Sequence, residues 1–259
     1  MGHMDKPLDE WADDIVEDGI VDAAEVAQMR ERLLAAGGVD REAADFLFTI
    51  NDAVSGAEND PGWRALFVEA LTKHVLEDEV SPGEVDEDEA DYLIEMIEGD
   101  AQVDETELAL LVNIVAEAKS TPDSLQEFTL GALKDAILED GIIDAAEVVM
   151  LRKVLYGSGS GGGAGVDTAE AELLFELNDA VSGKANDPSW GVFFAEAIAK
   201  HVLEDEVSPG TIDEDEAEWL IERIEGDRQV DDVEKGLLAA LKGKPMPDRL
   251  KAKLDEWGV

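Results

Sequence analysis

The chain has 259 residues, with 64 Asp or Glu against 20 Lys or Arg, and its formal net charge is −44. Nucleic acids and anionic membranes bind through cationic patches, so this charge argues against both as direct partners and favours cations and basic proteins. Hydrophobic residues make up 45%, enough for a folded core, and the lack of cysteine excludes disulfides and thiolate metal sites.

Apolar residues recur at helical spacing from the beginning of the chain onward, and strands have almost no signal. Turn residues separate the apolar stripes at 56–61 and 81–83, where Gly, Asn and Pro occur. The pattern predicts an all-α protein made of helical hairpins. In the first half of the chain the stripes cover residues 11–16, 46–54, 63–74, 93–97 and 108–114.

The chain repeats itself. The segments "NDAVSG" (51–56), "KHVLEDEVSPG" (73–83) and "DEDEA" (86–90) each recur 127 residues later. The "EDG" at 17–19 recurs only 122 residues later, because a Gly/Ser loop at 157–165 replaces a shorter one at 35–38. We expect two tandem helical domains of about six helices each, 5–120 and 121–259, with a closing helix from about Pro247 to Trp257. Residues 1–4 are read as an expression remnant.

A short motif, apolar-Asp-x-x-Glu, stands before the helical stripes of both copies. Its Asp and Glu pairs are Asp22 and Glu25, Asp86 and Glu89, Asp104 and Glu107, Asp144 and Glu147, Asp213 and Glu216, and Asp231 and Glu234. One interpretation is a capping box, in which Asp accepts from a free N–H of the helix and Glu reaches back to the cap. Such a cap stabilises by about 1 kcal/mol without a metal.

The other interpretation is a metal loop. In "EDGIVDAAEV" (17–26), Gly19 can take the glycine position of an EF-hand loop, so that Asp18, the Ile20 carbonyl, Asp22 and Glu25 supply oxygens. The third position is the apolar Val16, and in the second copy the first and third are Ala136 and Leu138. The loop is therefore not a standard EF-hand, and water or a neighbouring loop would have to complete the shell.

Neighbouring acidic segments could complete the coordination shell of this loop. Clusters that offer only oxygen ligands suit Ca²⁺, with Mg²⁺ as the alternative. Clustered carboxylates repel one another unless a cation lies between them. The candidate metal ligands outside the six pairs are Asp18, Asp78, Asp100, Asp140, Asp205 and Asp227.

The helix–"DG-x-[VI]-D-x-x-E"–helix unit resembles the TerB tellurite-resistance family over roughly 9–118 and 125–241. The likeness lies in "EDGIVDAAEV", "EDEVSPGEVDEDEA" and "EGDAQVDETE" and their counterparts in the second copy. The resemblance implies an all-helical, cytoplasmic protein linked to stress or metal-ion responses, with metal sites in its acidic loops. In this sequence it points to Asp18, Asp22, Glu25, Asp100, Asp104 and Glu107, and to Asp140, Asp144, Glu147, Asp227, Asp231 and Glu234.

The repeated histidines and asparagines indicate structural roles. His74 and His201 each follow a Trp by eleven residues, and we expect a half-buried His at a helix end. Asn51 and Asn178 are expected to hydrogen-bond to a turn backbone. No nucleophile motif or phosphate-binding Gly loop occurs, so an enzyme is not expected.

Two functions remain open at this point. The first is a Ca²⁺-binding helical module of TerB type. The second is an acidic scaffold that binds a basic protein or mimics nucleic-acid charge. No apolar run is long enough to cross a bilayer, so no membrane insertion is expected.

Overall fold

The computed structural model describes residues 6–34, 39–77, 80–99, 103–157, 166–204, 208–226 and 229–259. These residues form α-helices joined by turns, with no β-strand among them, which confirms the predicted all-α class. Within the same residues, every helix falls short of the length and apolar character needed to span a membrane.

In the part of the first copy that the structure describes there are six α-helices, as predicted. A single turn of 3₁₀ helix, Val16–Asp18, follows the first of them. The helices are α1 (Leu8–Ile15), α2 (Ala23–Leu34), α3 (Arg41–Val54), α4 (Pro61–Leu76), α5 (Glu87–Glu98) and α6 (Glu105–Glu117).

The second copy has the same order and ends with the predicted closing helix, α13. Its helices are α7 (Asp123–Asp140), α8 (Ala145–Tyr156), α9 (Thr168–Val181), α10 (Pro188–His201), α11 (Glu214–Glu225), α12 (Asp232–Leu241) and α13 (Asp248–Trp257).

Helix α7 combines two elements of the repeat. Its first part matches α13, since Pro122 and Pro247 precede the two helices and both Leu125 and Leu250 are fully buried. Its second part matches α1 and the 3₁₀ turn. The chain divides into two compact units, and the division falls inside α7, between Ala132 and Leu133. The predicted domain boundary at 120/121 lies in the segment between α6 and α7 and stays a prediction.

One long helix lies at the centre of each copy. In the first, α4 packs against α2, α3 and α6; in the second, α10 packs against α8, α9 and α12. Trp63 and Trp190 are at most 1% exposed, and each ring packs against a Phe one turn further along its own helix. These central helices fix the ends of the surrounding helices, where the acidic motifs lie.

Candidate functional site

The six Asp-x-x-Glu motifs are capping boxes. In the first, Asp22 Oδ1 accepts hydrogen bonds from the N–H groups of Ala24 (2.7 Å) and Glu25 (2.9 Å), and Glu25 Oε2 accepts from the N–H of Asp22 (2.9 Å). Both carboxylates therefore satisfy backbone donors that the helix leaves unpaired. The same reciprocal bonds join Asp86 and Glu89, Asp104 and Glu107, Asp144 and Glu147, Asp213 and Glu216, and Asp231 and Glu234.

A seventh capping box lies at the start of α9, between Asp167 and Glu170. It was not predicted from the sequence, although Val166-Asp167-x-x-Glu170 fits the same pattern. The counterpart in the first copy, Asp40, caps α3 with Ala43 in the position of the glutamate. Glu170 is only 8% exposed, and loss of hydration raises the pKa of its carboxyl to about 7.

The first loop of each copy turns at a left-handed glycine. Gly19 has a φ of 79° and Gly141 a φ of 71°, a conformation that other residues adopt only with strain. Asp18 Oδ1 accepts from the N–H of Ile20 over 3.2 Å, and Asp140 Oδ1 from that of Ile142 over 3.0 Å. These aspartates therefore stabilise the turn, as short polar side chains commonly do.

The carboxylates of these first loops influence one another. Partial burial raises the pKa of Glu25, the hydrogen bond from the Asp22 backbone lowers it, and the charges of Asp22 and Asp18 raise it further. Glu147 has the same environment, with its pKa raised by burial and by Asp144 and Asp140. A cation near these groups would relieve the repulsion.

The carboxylate of Asp104 is fully engaged by the protein. Oδ1 accepts from the N–H groups of Thr106 (2.7 Å) and Glu107 (2.9 Å). Oδ2 accepts from Asn51 Nδ2 (2.9 Å) and Ser55 Oγ (2.8 Å). Each oxygen thus already holds two hydrogen bonds, and a metal at Asp104 would have to replace some of them.

The indole of Trp63 extends this network, because its Nε1 donates to Asn51 Oδ1 over 3.3 Å. Asn51 is buried, and its partners are a carboxylate and an indole rather than the expected turn backbone. The second copy repeats the three side-chain bonds: Trp190 to Asn178 (3.2 Å), Asn178 to Asp231 (2.9 Å) and Ser182 to Asp231 (2.8 Å). The repeated "NDAVSG" segment therefore positions the start of α6 and of α12.

A second asparagine holds the first loop in place. The N–H of Val21 donates to Asn59 Oδ1 over 2.8 Å, and Asn59 Nδ2 donates to the Val54 carbonyl over 3.0 Å. The N–H of Asp60 then donates to the Val21 carbonyl over 2.8 Å. The end of α3, the start of α4 and the glycine loop are thereby joined. In the second copy the same contacts join Ile143, Asn186, Val181 and Asp187.

Both histidines have structural partners. His74 Nδ1 lies 2.7 Å from the Val39 carbonyl, and His201 Nδ1 lies 2.8 Å from the Val166 carbonyl. A carbonyl only accepts, so each Nδ1 donates. The two bonds hold the residues that precede α3 and α9, in agreement with the structural role expected for these side chains.

The predicted metal ligands are distributed over several helix starts. Asp78, Asp100, Asp205 and Asp227 lie outside the described residues. Within the part of the chain that the structure describes, no three His, Asp or Glu side chains converge in an arrangement able to hold a metal ion. The metal-site residues therefore stay a prediction.

The chain matches no protein-family model, no curated protein and no solved structure. The resemblance to the TerB family therefore rests on the acidic motifs alone. The fold and the loops define an all-helical, strongly acidic protein built from two copies of one helical unit.

Proposed function

We propose that the chain is a non-enzymatic acidic module that binds a basic protein partner. The observation that supports this most directly is the exposed excess of negative charge. Acidic residues outnumber basic ones by 64 to 20, and the acids of the outer helix faces point to solvent. A surface of this kind attracts a cationic partner and speeds its association.

The basic side chains offset only part of this charge, and many of them already pair with acids of the chain. Examples are Arg152 with Glu196 at 2.8 Å and Arg223 with Glu172 at 2.8 Å. Such exposed pairs each contribute about 0–1 kcal/mol. Their main effect is to leave few cations available to the remaining acids.

The capping boxes also support a binding role. Asp and Glu side chains at seven helix starts are held in place by hydrogen bonds to the backbone, so their charges are already ordered. A partner that meets ordered charges loses less side-chain entropy on binding. The caps contribute to stability, and the exposed ones, such as Asp22 and Asp144, also present ordered charge at the surface. The capping glutamates Glu107, Glu170 and Glu234 are buried and contribute to stability alone.

A divalent cation at the first loops is a second candidate function, and one observation favours it. Asp18 Oδ1, Asp22 Oδ1 and Glu25 Oε2 take part in hydrogen bonds, whereas among the described residues no donor contacts the second oxygen of these carboxylates. Carboxylate oxygens are the ligands that Ca²⁺ and Mg²⁺ prefer. Because these three side chains do not converge in the described structure, a bound ion would have to draw them together.

Partner binding can be tested by affinity capture followed by titration. Proteins retained by the immobilised chain are purified and titrated back at several salt concentrations. A basic protein that binds with a fixed stoichiometry, and less tightly as salt rises, is the expected result. A polyglutamate column serves as the control. If every retained protein binds the column equally well, the chain has no partner of its own and the proposal fails.

A further inference from the structure

Helices α4 and α6 run side by side in the same direction. Arg64 pairs with Glu105 near the two helix starts, and further along Asn113 Nδ2 donates to Thr72 Oγ1 over 3.1 Å. Both contacts join residues 41 positions apart. Because this offset does not change, the helices are parallel, and their carboxyl ends lie at the same end of the pair.

A groove of about 570 Å³ lies between α4 and α6. A volume of this size is typical of a site for a small molecule. We call it the α4–α6 groove, after the two helices that line it. Along the helices its lining changes from apolar side chains to a polar pair and then to carboxylates, and each part favours a different chemical group.

The polar pair in the middle of the groove has hydrogen-bonding capacity left over. Thr72 is only 7% exposed, and its hydroxyl accepts a hydrogen bond from Asn113. Among the residues described, neither side chain forms another hydrogen bond. The Thr72 hydroxyl therefore still has a donor to offer, and Asn113 Oδ1 is still an available acceptor. An amide group offers the matching acceptor and donor.

The far end of the groove is negatively charged. Glu77 and Glu117 line it, both are exposed, and neither forms an ion pair with any described residue. They stand at the carboxyl ends of α4 and α6, where the two helix dipoles add negative charge. Lys73 also lines the groove, but its ammonium group already lies 3.0 Å from Glu69. This end therefore attracts an ammonium group.

The part of the groove before the polar pair is apolar. Ala65, Val68 and Ala109 line it. The alanine side chains are small and leave room between the helices. A hydrocarbon tail placed there is removed from water, which favours binding.

We propose that the α4–α6 groove binds a small molecule that carries an ammonium group, an amide and a hydrocarbon tail in that order. The ammonium group lies at Glu77 and Glu117, and the amide bonds to Thr72 and Asn113. Residues 72 and 77 are about 7.5 Å apart along the helix axis. A diamine acylated on one nitrogen has these groups at a comparable spacing. This site goes beyond the binding of a basic protein and does not depend on it.

The second copy lacks the same chemistry and provides an internal comparison. At the positions 127 residues later, Ala199 and Ala240 replace the polar pair, and Lys244 replaces Glu117. The hydrogen-bonding groups are thus absent, and a cation stands in the place of one acid. We therefore expect one binding site per chain.

N-hexanoylputrescine tests the site on the full chain. Titration calorimetry at about 0.15 M salt measures its affinity, and the backbone amide signals in NMR spectra locate it. One comparison ligand has a carboxylate in place of the ammonium group, and the other is an alkylammonium ion of the same length without the amide. One molecule should bind per chain, with the largest signal changes in 68–77 and 109–117. The carboxylate ligand should not bind, and the alkylammonium ion should bind at least about tenfold more weakly, because it leaves the polar pair unsatisfied.

Three variants separate this site from general attraction of cations. Glu77→Gln/Glu117→Gln should weaken binding about tenfold. Glu42→Gln/Glu95→Gln removes the same charge from exposed positions on α3 and α5 and should stay within about twofold. Ala109→Leu fills the apolar part and should also weaken binding about tenfold. Circular dichroism checks each fold. The Glu77 and Glu117 side chains are exposed, so that variant decides the matter even if Ala109→Leu unfolds.

Equal losses in the two glutamine variants would overturn the proposal, because general charge attraction would then explain the binding. Equal binding of the carboxylate ligand, signal changes spread over both copies, or no binding of N-hexanoylputrescine would overturn it as well. None of these results bears on the basic protein partner, which affinity capture tests separately.

Discussion

The side-chain amide of Asn51 donates a 2.9 Å hydrogen bond to Asp104 Oδ2 and accepts one from the indole of Trp63 over 3.3 Å. One buried side chain thus connects α3 with the cap of α6 and with the central helix α4. The carboxylate that caps α6 is fixed by a residue 53 positions earlier in the chain. Asn178 repeats this arrangement in the second copy.

Replacing Asn51 with alanine should destabilise the protein. Asn51→Ala leaves the Trp63 indole N–H without an acceptor in the core and takes a donor from Asp104, which should cost about 2 to 3 kcal/mol. Urea unfolding followed by circular dichroism measures the change. Glu42→Ala, an exposed change on the same helix, should stay within about 0.5 kcal/mol. A cost for Asn51→Ala no larger than for this control would show that the amide does not hold the cap.

Replacing Asn59 with alanine should loosen the first glycine loop without unfolding the chain. Asn59→Ala removes the acceptor of the Val21 N–H, so hydrogen exchange at Val21 should become faster. Exchange in the middle of α4 should change far less. The neighbouring exposed change, Glu58→Ala, is the control. Unchanged protection of Val21 would mean that the loop is held by other contacts.

The helix starts could be predicted from the sequence because capping is local chemistry. An Asp followed three residues later by a Glu contains both halves of the capping box, and the structure confirms each predicted pair. The partner of Asn51 could not be predicted in this way. Its bond to Asp104 depends on how α3 and α6 pack against each other, and no local sequence pattern predicts that packing.

The continuity of α7 has a local cause. Pro7 precedes α1 and marks a helix start. The position 122 residues later is Thr129, which forms part of α7 and donates its hydroxyl to the Leu125 carbonyl over 2.7 Å. Without a proline there, the closing helix of the first copy continues into the first helix of the second.

Glu170 should make stability depend on pH. Its pKa is about 7 in the folded protein, against 4.5 for an ordinary glutamate. A raised pKa means that the folded state favours the protonated form, so this contribution is fully present below about pH 4.5 and is lost as pH rises through about 7. Glu170→Gln stays neutral, and above pH 8 it should be more stable than the parent by on the order of 1 to 3 kcal/mol.

The difference in unfolding free energy between the parent and Glu170→Gln should stay constant above about pH 8. It should narrow as pH falls from about 7 to about 4.5, because the glutamate is then increasingly neutral in the folded and the unfolded chain alike. Urea unfolding at each pH gives the difference. Glu222→Gln, an exposed change on α11, should show no such trend. A constant gap for Glu170→Gln would place the pKa of Glu170 near that of an ordinary glutamate.

Stability should rise with monovalent salt. At a net charge of −44 the folded chain repels itself, and the Debye length shortens from about 30 Å at 0.01 M to about 3 Å at 1 M. The exposed ion pairs, such as Arg30 with Glu69, weaken over the same range, but each is worth only about 0–1 kcal/mol. The melting temperature should therefore climb in NaCl and KCl alike. A flat response would show that the acids are too far apart to repel strongly.

The divalent-cation candidate depends on Glu25 and Glu147, whose caps are known from the structure. Gln keeps an oxygen that accepts from the Asp22 or Asp144 N–H, so Glu25→Gln/Glu147→Gln should be close to the parent in stability when a chelator is present. As a ligand, Gln offers one neutral oxygen where Ca²⁺ prefers a charged carboxylate. If the loops bind Ca²⁺, the parent should gain about 2.7 kcal/mol at a hundred times Kd, and the double variant clearly less. The melting temperatures of both proteins are measured in chelator, in Ca²⁺ and in Mg²⁺. An equal gain in both proteins would show that these glutamates act only as caps.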